Sequence, residues 1–205
     1  MVKIDFKLKL KEYYAGVSAK EFSIVTVPPL NFLMIDGQGY PGTSQEYQDA
    51  METLYPVSYT LKFMLKEKGK DYVVMPLEGL WWADDMDVFT TEFMERKDEW
   101  KWTSMVMQPD FITEEMVQEA IEEVKKKKNP VALPKLRFEQ YNEGLSAQIL
   151  YFGSYSDEGP TIERLHGFVK EQGYQLRGKH HEIYLSDPRR TKPERLKTII
   201  RQPIE

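Results

Sequence analysis

The chain has 205 residues, 41% apolar side chains, no cysteine and a formal charge of -5. That length carries one sizeable core or two small ones fused together, and the absence of cysteine excludes disulfides, thiol nucleophiles and thiolate metal sites. The acidic balance argues against a phosphate-backbone partner, no apolar run approaches the roughly 18 residues of a membrane span, and the charged start MVKIDFKLKLKEYY has no signal-peptide core.

Those exclusions predict a cytoplasmic protein with neither a nucleic acid nor a membrane as direct partner. In chain order, EFSIVTVPP reads as an opening strand. FLMIDGQGYPGTSQEYQDAMETL (32–54) reads as a strand, a glycine turn and an amphipathic helix, with Thr43 to Glu46 as a capping box. Pro56 predicts a kink or break in that helix. DYVVMPLEGLWW and EWKWTSMVMQP (99–109) are two further strands, and a helix over 113–127 follows. Its first turn carries Glu114 and Glu115, and its end carries Lys125 to Lys128, where the helix dipole favours cations. Pro130 to Pro134 link to a second series. There QILYFGSYSDEGPTIERLHGFV (148–169) is strand, turn and helix with Pro160 in the first turn, and YQLRGKHHEIYLSD and LKTIIRQPI (196–204) are strands.

The order strand, helix, strand, strand therefore occurs twice, which predicts an α+β fold. Two pseudo-symmetric repeats would form an antiparallel sheet with helices on one face and a central ligand cleft. The halves are expected to make one domain over 1–205. The first half-repeat covers about 20–112, a connecting helix 113–130, and the second half-repeat about 135–205.

Each half carries a conspicuous glutamate at the matching point of its middle strand. Alternate residues of a strand share a face. His180, Glu182, Tyr184 and Ser186 are thus expected to face the cleft, with His181, Ile183 and Leu185 turned to the helix layer. Glu78, Leu80 and Trp82 share a face in the first half, and Trp100 and Trp102 share one on the neighbouring strand. A pseudo-two-fold axis would bring Glu78 and Glu182 into one aromatic cage, where burial and mutual repulsion raise the pKa of at least one of them. Taken singly, a strand glutamate is solvated and a strand tryptophan is core; the coincidence across two repeats points to a site.

The segments FLMIDGQGYP, YTLKFMLKEKG, PLEGLWW, WTSMVMQPDFIT, EGLSAQILYFGSYSDEGPTI and HEIYLSDPRRTKPERLKTIIRQPI resemble the GyrI-like small-molecule-binding proteins, over nearly all of residues 20–204. The similarity is greatest to the stand-alone bacterial branch that includes cyclopropanoid cyclopropyl hydrolases. The resemblance implies an effector-binding fold around a central cleft, a glutamate matching Glu182 that meets lipophilic cations, and hydrolysis of duocarmycin-type DNA alkylators as xenobiotic detoxification. On this reading the partner is a planar hydrophobic small molecule and no cofactor is required. Glu182, Glu78 and Tyr184 are the candidate catalytic residues, and Trp82, Trp100, Trp102, Leu80 and His180 the candidate ligand contacts. Ring opening requires a flat apolar slot, a base for the attacking water and a donor to the carbonyl that becomes a phenol. The roles of Glu78 and Glu182 are exchangeable. Sequestration of lipophilic or cationic drugs without chemistry, or shielding of gyrase, remain alternative readings.

Other motifs carry less. The glycines of DGQGYPG match no phosphate loop, no G-x-S-x-G elbow is present, and the adjacent His180 and His181 point to opposite faces, which disfavours a metal site. SDPRR reads as a turn in which Asp187 caps backbone N–H groups.

Overall fold

The computed structural model describes residues 2–85 and 96–205. Among them are four α-helices, α1 (Phe6–Lys9), α2 (Gln45–Glu67), α3 (Glu114–Lys127) and α4 (Gly159–Glu171). There are eight strands: β1 (Ser23–Val27), β2 (Leu30–Gln38), β3 (Leu77–Trp82), β4 (Lys101–Gln108), β5 (Arg137–Tyr141), β6 (Gly144–Phe152), β7 (His180–Tyr184) and β8 (Lys197–Pro203). The fold class is α+β with antiparallel pairing, and strand, helix, strand, strand occurs twice, as β2-α2-β3-β4 and β6-α4-β7-β8. The chain divides into two compact units. Leu30–Met75 and Gly79–Tyr141 belong to the first; Lys7–Pro29, Pro76–Glu78 and Asn142–Glu205 belong to the second.

In the first unit the strands run β3-β4-β2-β5, with α2 and α3 packed together and α2 against β2 and β4. Val117, Ala120 and Val124 of α3 are buried at helical spacing, while Leu33, Ile35, Leu54, Leu61 and Met105 form the interior. Opposite Gly37 of β2 lies Trp102 of β4. A Cβ on Gly37 would stand 2.3 Å from two atoms of that indole, so the absence of a side chain lets the ring lie on the strand.

Two helix details differ from expectation. The N-cap of α2 is Ser44, which accepts from Tyr47 N at 3.2 Å, and Glu46 turns away to accept from Gln38 N at 3.0 Å and to pair with Lys135. The box over 43–46 is therefore not reciprocal. Pro56 does not end α2, which continues to Glu67; apolar burial of Leu54, Val57, Leu61 and Leu65 along one face outweighs the roughly 3 kcal/mol a helix-interior proline costs. The helix over 113–127 forms as expected, with Thr113 accepting from Met116 N and Lys127 near Glu123 at 3.3 Å.

The second unit has strand order β1-β6-β8-β7 with α4 against β6. Antiparallel register sets out rows of side chains across the strands. One row is Ile149, Ile200 and Glu182, and the next is Tyr151, Thr198 and Tyr184. Ile149 and Ile200 pack with Leu165 and Val169 of α4, so both rows lie on the face that the helix covers.

β1 does not join the half that follows it in sequence. It pairs with β6, Val25 opposite Ser146, and β5 pairs back with β2, Leu33 opposite Phe138. Each link is two residues long, Pro28-Pro29 and Asn142-Glu143. A two-residue hairpin turn requires positive φ, which proline cannot adopt, so β1 and β2 cannot fold onto one another.

Candidate functional site

His180, Glu182 and Tyr184 share a face of β7, as alternation predicts, and they interact. Glu182 Oε2 accepts from the Tyr184 hydroxyl at 2.8 Å, and Oε1 lies 3.2 Å from His180 Nε2. Tyr155 meets the Tyr184 ring edge-on, with centroids 5.4 Å apart. The face is the reverse of that expected: these three side chains turn toward α4, not away from the helix layer. The opposite face is already occupied by a polar network, described below, that could not be placed under an apolar helix.

The acid that faces Glu182 is Glu158, at the N-cap of α4. Its backbone carbonyl accepts from Thr161 N at 2.8 Å and Ile162 N at 3.0 Å and so starts the helix, while its side chain makes no cap. The residue is 2% exposed, and neither carboxyl oxygen has a hydrogen-bond partner among the described residues. Burial, reinforced by the charge of Glu182, pushes its pKa up to about 10, so it is a neutral acid at physiological pH. Among the described residues, His180 Nδ1, the Thr198 hydroxyl and His166 Nε2 are also buried without a hydrogen-bond partner. His166, on α4, is held below the usual imidazole range by burial and by His180. The residues form a polar, partly buried cluster of two carboxyls, two imidazoles and two phenols under one helix. Among the described residues no group of three or more His, Cys, Asp or Glu is arranged to hold a metal ion.

Glu78 is elsewhere. It is fully buried, accepting from the Tyr14 hydroxyl at 2.8 Å on Oε1 and facing His181 Nε2 at 3.0 Å on Oε2. The expected meeting of Glu78 with Glu182 in one cage does not occur, because His181 lies on the other face of β7 from Glu182. The row Gln148, Arg201 and His181 carries this second network. His181 Nδ1 lies 2.8 Å from Glu143 Oε1, Arg201 Nη1 donates to Glu143 Oε2 at 3.0 Å, and Arg201 Nε donates to Gln148 at 3.0 Å. Arg201 also donates to the Tyr13 carbonyl. With a carboxyl against each nitrogen, His181 donates twice and is an imidazolium. Burial alone would lower its pKa, but Glu143 and Glu78 raise it to about 9. Glu143 is likewise opposed by its burial, yet His181 and Arg201 hold it down at about 2. Tyr14 is pushed well above the usual phenol range by burial and by Glu78.

The tryptophans also sort differently. Trp102 is fully buried, its ring against Tyr47 of α2 at 5.1 Å and its Nε1 donating to Gly39 O at 3.2 Å; it is core. Trp100 packs edge-on with Trp81 at 6.2 Å and with Tyr40 at 5.7 Å, so the indole it meets is Trp81, which strand alternation had set opposite Trp82. Leu80 is buried, and Trp82 is half-buried at the end of β3. A shallow apolar groove of about 370 Å³ lies elsewhere in the first unit, between α2 and α3, lined by Tyr59, Phe63 and Val124 with Lys127 and Lys128 at its rim.

Sequence reasoning missed Glu158, Glu143 and His166. The signal for Glu158 was present in SDEGP: a glutamate directly before a glycine-proline helix start, at a cap position that favours a shorter side chain. Nothing local marks Glu143, whose importance comes from Arg201 and His181, 58 and 38 positions away.

A family model described as the GyrI-like small molecule binding domain matches residues 20–205. The structure is similar to that of an uncharacterized conserved protein from Listeria innocua, at 39% identity and TM-score 0.89, covering 99% of this chain and 100% of that one. It is also similar to a structure described as a hydrolase from Listeria innocua, at 38% identity and TM-score 0.88, covering 100% of each. The C-terminal domain of EcmrR shares the fold at 12% identity and TM-score 0.56, over 90% of this chain and 97% of that domain. No curated protein matches the chain significantly.

Proposed function

Because the chain belongs to the GyrI-like small molecule binding family, we propose that it takes a planar, hydrophobic small molecule at the β7 face beneath α4 and opens a strained ring in it by adding water. The substrate class is a cyclopropane-bearing DNA alkylator, and the role is detoxification in the cytoplasm. The observation that carries this reading is the arrangement of Glu182 between His180 and Tyr184, beside Glu158, in a chain 38% identical to a protein described as a hydrolase.

In the proposed reaction Glu182 draws the proton from a water molecule, whose oxygen attacks the cyclopropane methylene. Tyr184 and His180 orient the carboxyl, which is how a general base gains a fixed direction. The Tyr184 hydroxyl is thereby committed to Glu182, so it positions the base and does not serve as donor to the substrate carbonyl. Glu78 supports β7 from behind through His181.

One observation favours a second reading, sequestration without chemistry: both Glu182 oxygens already have hydrogen-bond partners, which suits an anion held ready to attract a lipophilic cation. The purified protein is incubated with spiro-cyclopropyl cyclohexadienones and with lipophilic cations while mass and tryptophan fluorescence are followed. A product heavier by one water supports hydrolysis; quenching with no mass change leaves only binding.

A further inference from the structure

We propose that Glu158 is the proton donor of this site: its carboxylic acid meets the carbonyl oxygen of the bound cross-conjugated ketone and protonates it as the cyclopropane opens. The proposal rests on the hydrolase reading above and supplies the group that reading lacks.

Three features of the geometry converge on this residue. Glu158 is buried, yet both its oxygens lack partners among the described residues. A buried carboxyl ordinarily makes its hydrogen bonds, and leaving them unmade costs about 1–3 kcal/mol, so the site is built to be completed by something that enters it. The cluster also contains the buried Thr198 hydroxyl, without a partner among the described residues, in the row between Tyr151 and Tyr184. Finally, the other acidic donors are committed, and the Thr198 hydroxyl can donate a hydrogen bond but is too weak an acid to release its proton. Tyr184 donates to Glu182 and Tyr151 to Ser154 O at 3.2 Å. His180 Nε2 is engaged with Glu182 at 3.2 Å. His166 is kept neutral by its burial and by His180, and a neutral imidazole is a poor acid.

The groups facing Glu158 account for its retained proton. Beside its burial, the charge that acts on it is Glu182 of β7, and Glu158 in turn raises the phenol of Tyr151 on β6. Burial and the Glu182 charge together hold the carboxyl neutral up to about pH 10.

The step balances. The water oxygen bonds to the cyclopropane methylene and its proton passes to Glu182. The ring C–C bond breaks, and its electron pair moves through the dienone to the carbonyl oxygen, which takes the Glu158 proton and becomes a phenol. One water has been added, and transfer of a proton from Glu182 to Glu158 restores the starting state. The pair carries a single negative charge before and after, so the repulsion that keeps one proton on it is never raised.

The test compares wild type, Glu158→Gln and Glu158→Ala on a spiro-cyclopropyl cyclohexadienone. Glu158→Gln keeps a hydrogen-bond donor but has no acidic proton. It should bind within about threefold of wild type while turnover falls by about 100-fold or more, and the alkaline limb of the wild-type rate profile should disappear. An active wild type together with a Glu158→Gln variant of equal turnover and unchanged profile overturns the donor role and leaves the hydrolase reading standing. A wild type that adds no water to the probe overturns both. Infrared spectra of wild type need no variant: binding of the ketone should shift the carbonyl band of a neutral carboxylic acid, and absence of that band near neutral pH rejects the proposal.

Discussion

His181 Nε2 stands 3.0 Å from Glu78 Oε2 at a position 1% exposed, with Glu143 against its other ring nitrogen at 2.8 Å. The charged ring is a condition of this packing, and it makes stability depend on pH. The folded His181 pKa of about 9 lies above the ordinary 6.5. Its contribution is therefore complete below about pH 6.5 and is lost as pH rises through about 9. The Glu143 pKa of about 2 lies below the ordinary 4.5, so its contribution is complete above about pH 4.5 and is lost as pH falls toward 2. Urea unfolding should show stability falling from pH 6.5 to beyond 9, with His181 contributing on the order of 3 kcal/mol of the loss and the raised pKa of buried Glu158 adding to it in the same direction. A flat profile across that alkaline window contradicts the charged His181.

Replacing Glu143 by Gln removes the charge shared by His181 and Arg201 and leaves a buried guanidinium without its carboxylate. Breaking a buried pair from one side costs about 3–5 kcal/mol. The variant should melt well below wild type, and the imidazole resonance of His181 should titrate at lower pH. Unchanged thermal stability argues against the network.

Trp102 and Gly37 test whether the expected cage includes this indole. Gly37→Ala drives a Cβ into the Trp102 ring and should destabilise by about 1–3 kcal/mol. Trp102→Phe should lower stability by a similar amount and leave ligand affinity within about threefold, because the ring is enclosed by Tyr47, Gly37 and Gly39. A loss of binding without a loss of stability returns Trp102 to the ligand site.

Tyr184→Phe leaves Glu182 with one of its two hydrogen-bond partners. Turnover should fall by about tenfold, an amount matching one hydrogen bond to a charged group, while Glu182→Gln should cost about 100-fold or more. Equal losses for the two variants indicate that the phenol itself reacts.

Much of this was legible in the residues. The alternation in KHHEIYLSD separates His181 and Ile183 from His180, Glu182 and Tyr184, and the structure keeps that division. The Asp187 turn also forms, Arg189 N donating to Asp187 Oδ1 at 3.0 Å. The expected repulsion between Glu78 and Glu182 is not realised, because Glu78 meets His181 on the other face of β7; the acid raised by burial and by Glu182 is Glu158.

The sequence by itself determined the elements, their doubled order and which side chains of a strand share a face, because those follow from backbone periodicity over a few residues. Only tertiary structure decided which face α4 covers, that β1 and β5 exchange halves, and which acids meet. Glu78 finds His181 across 103 positions, and Glu158 reaches Glu182 through the packing of a helix on a sheet. Those partnerships depend on burial and charge summed over the folded chain, and no local period encodes them.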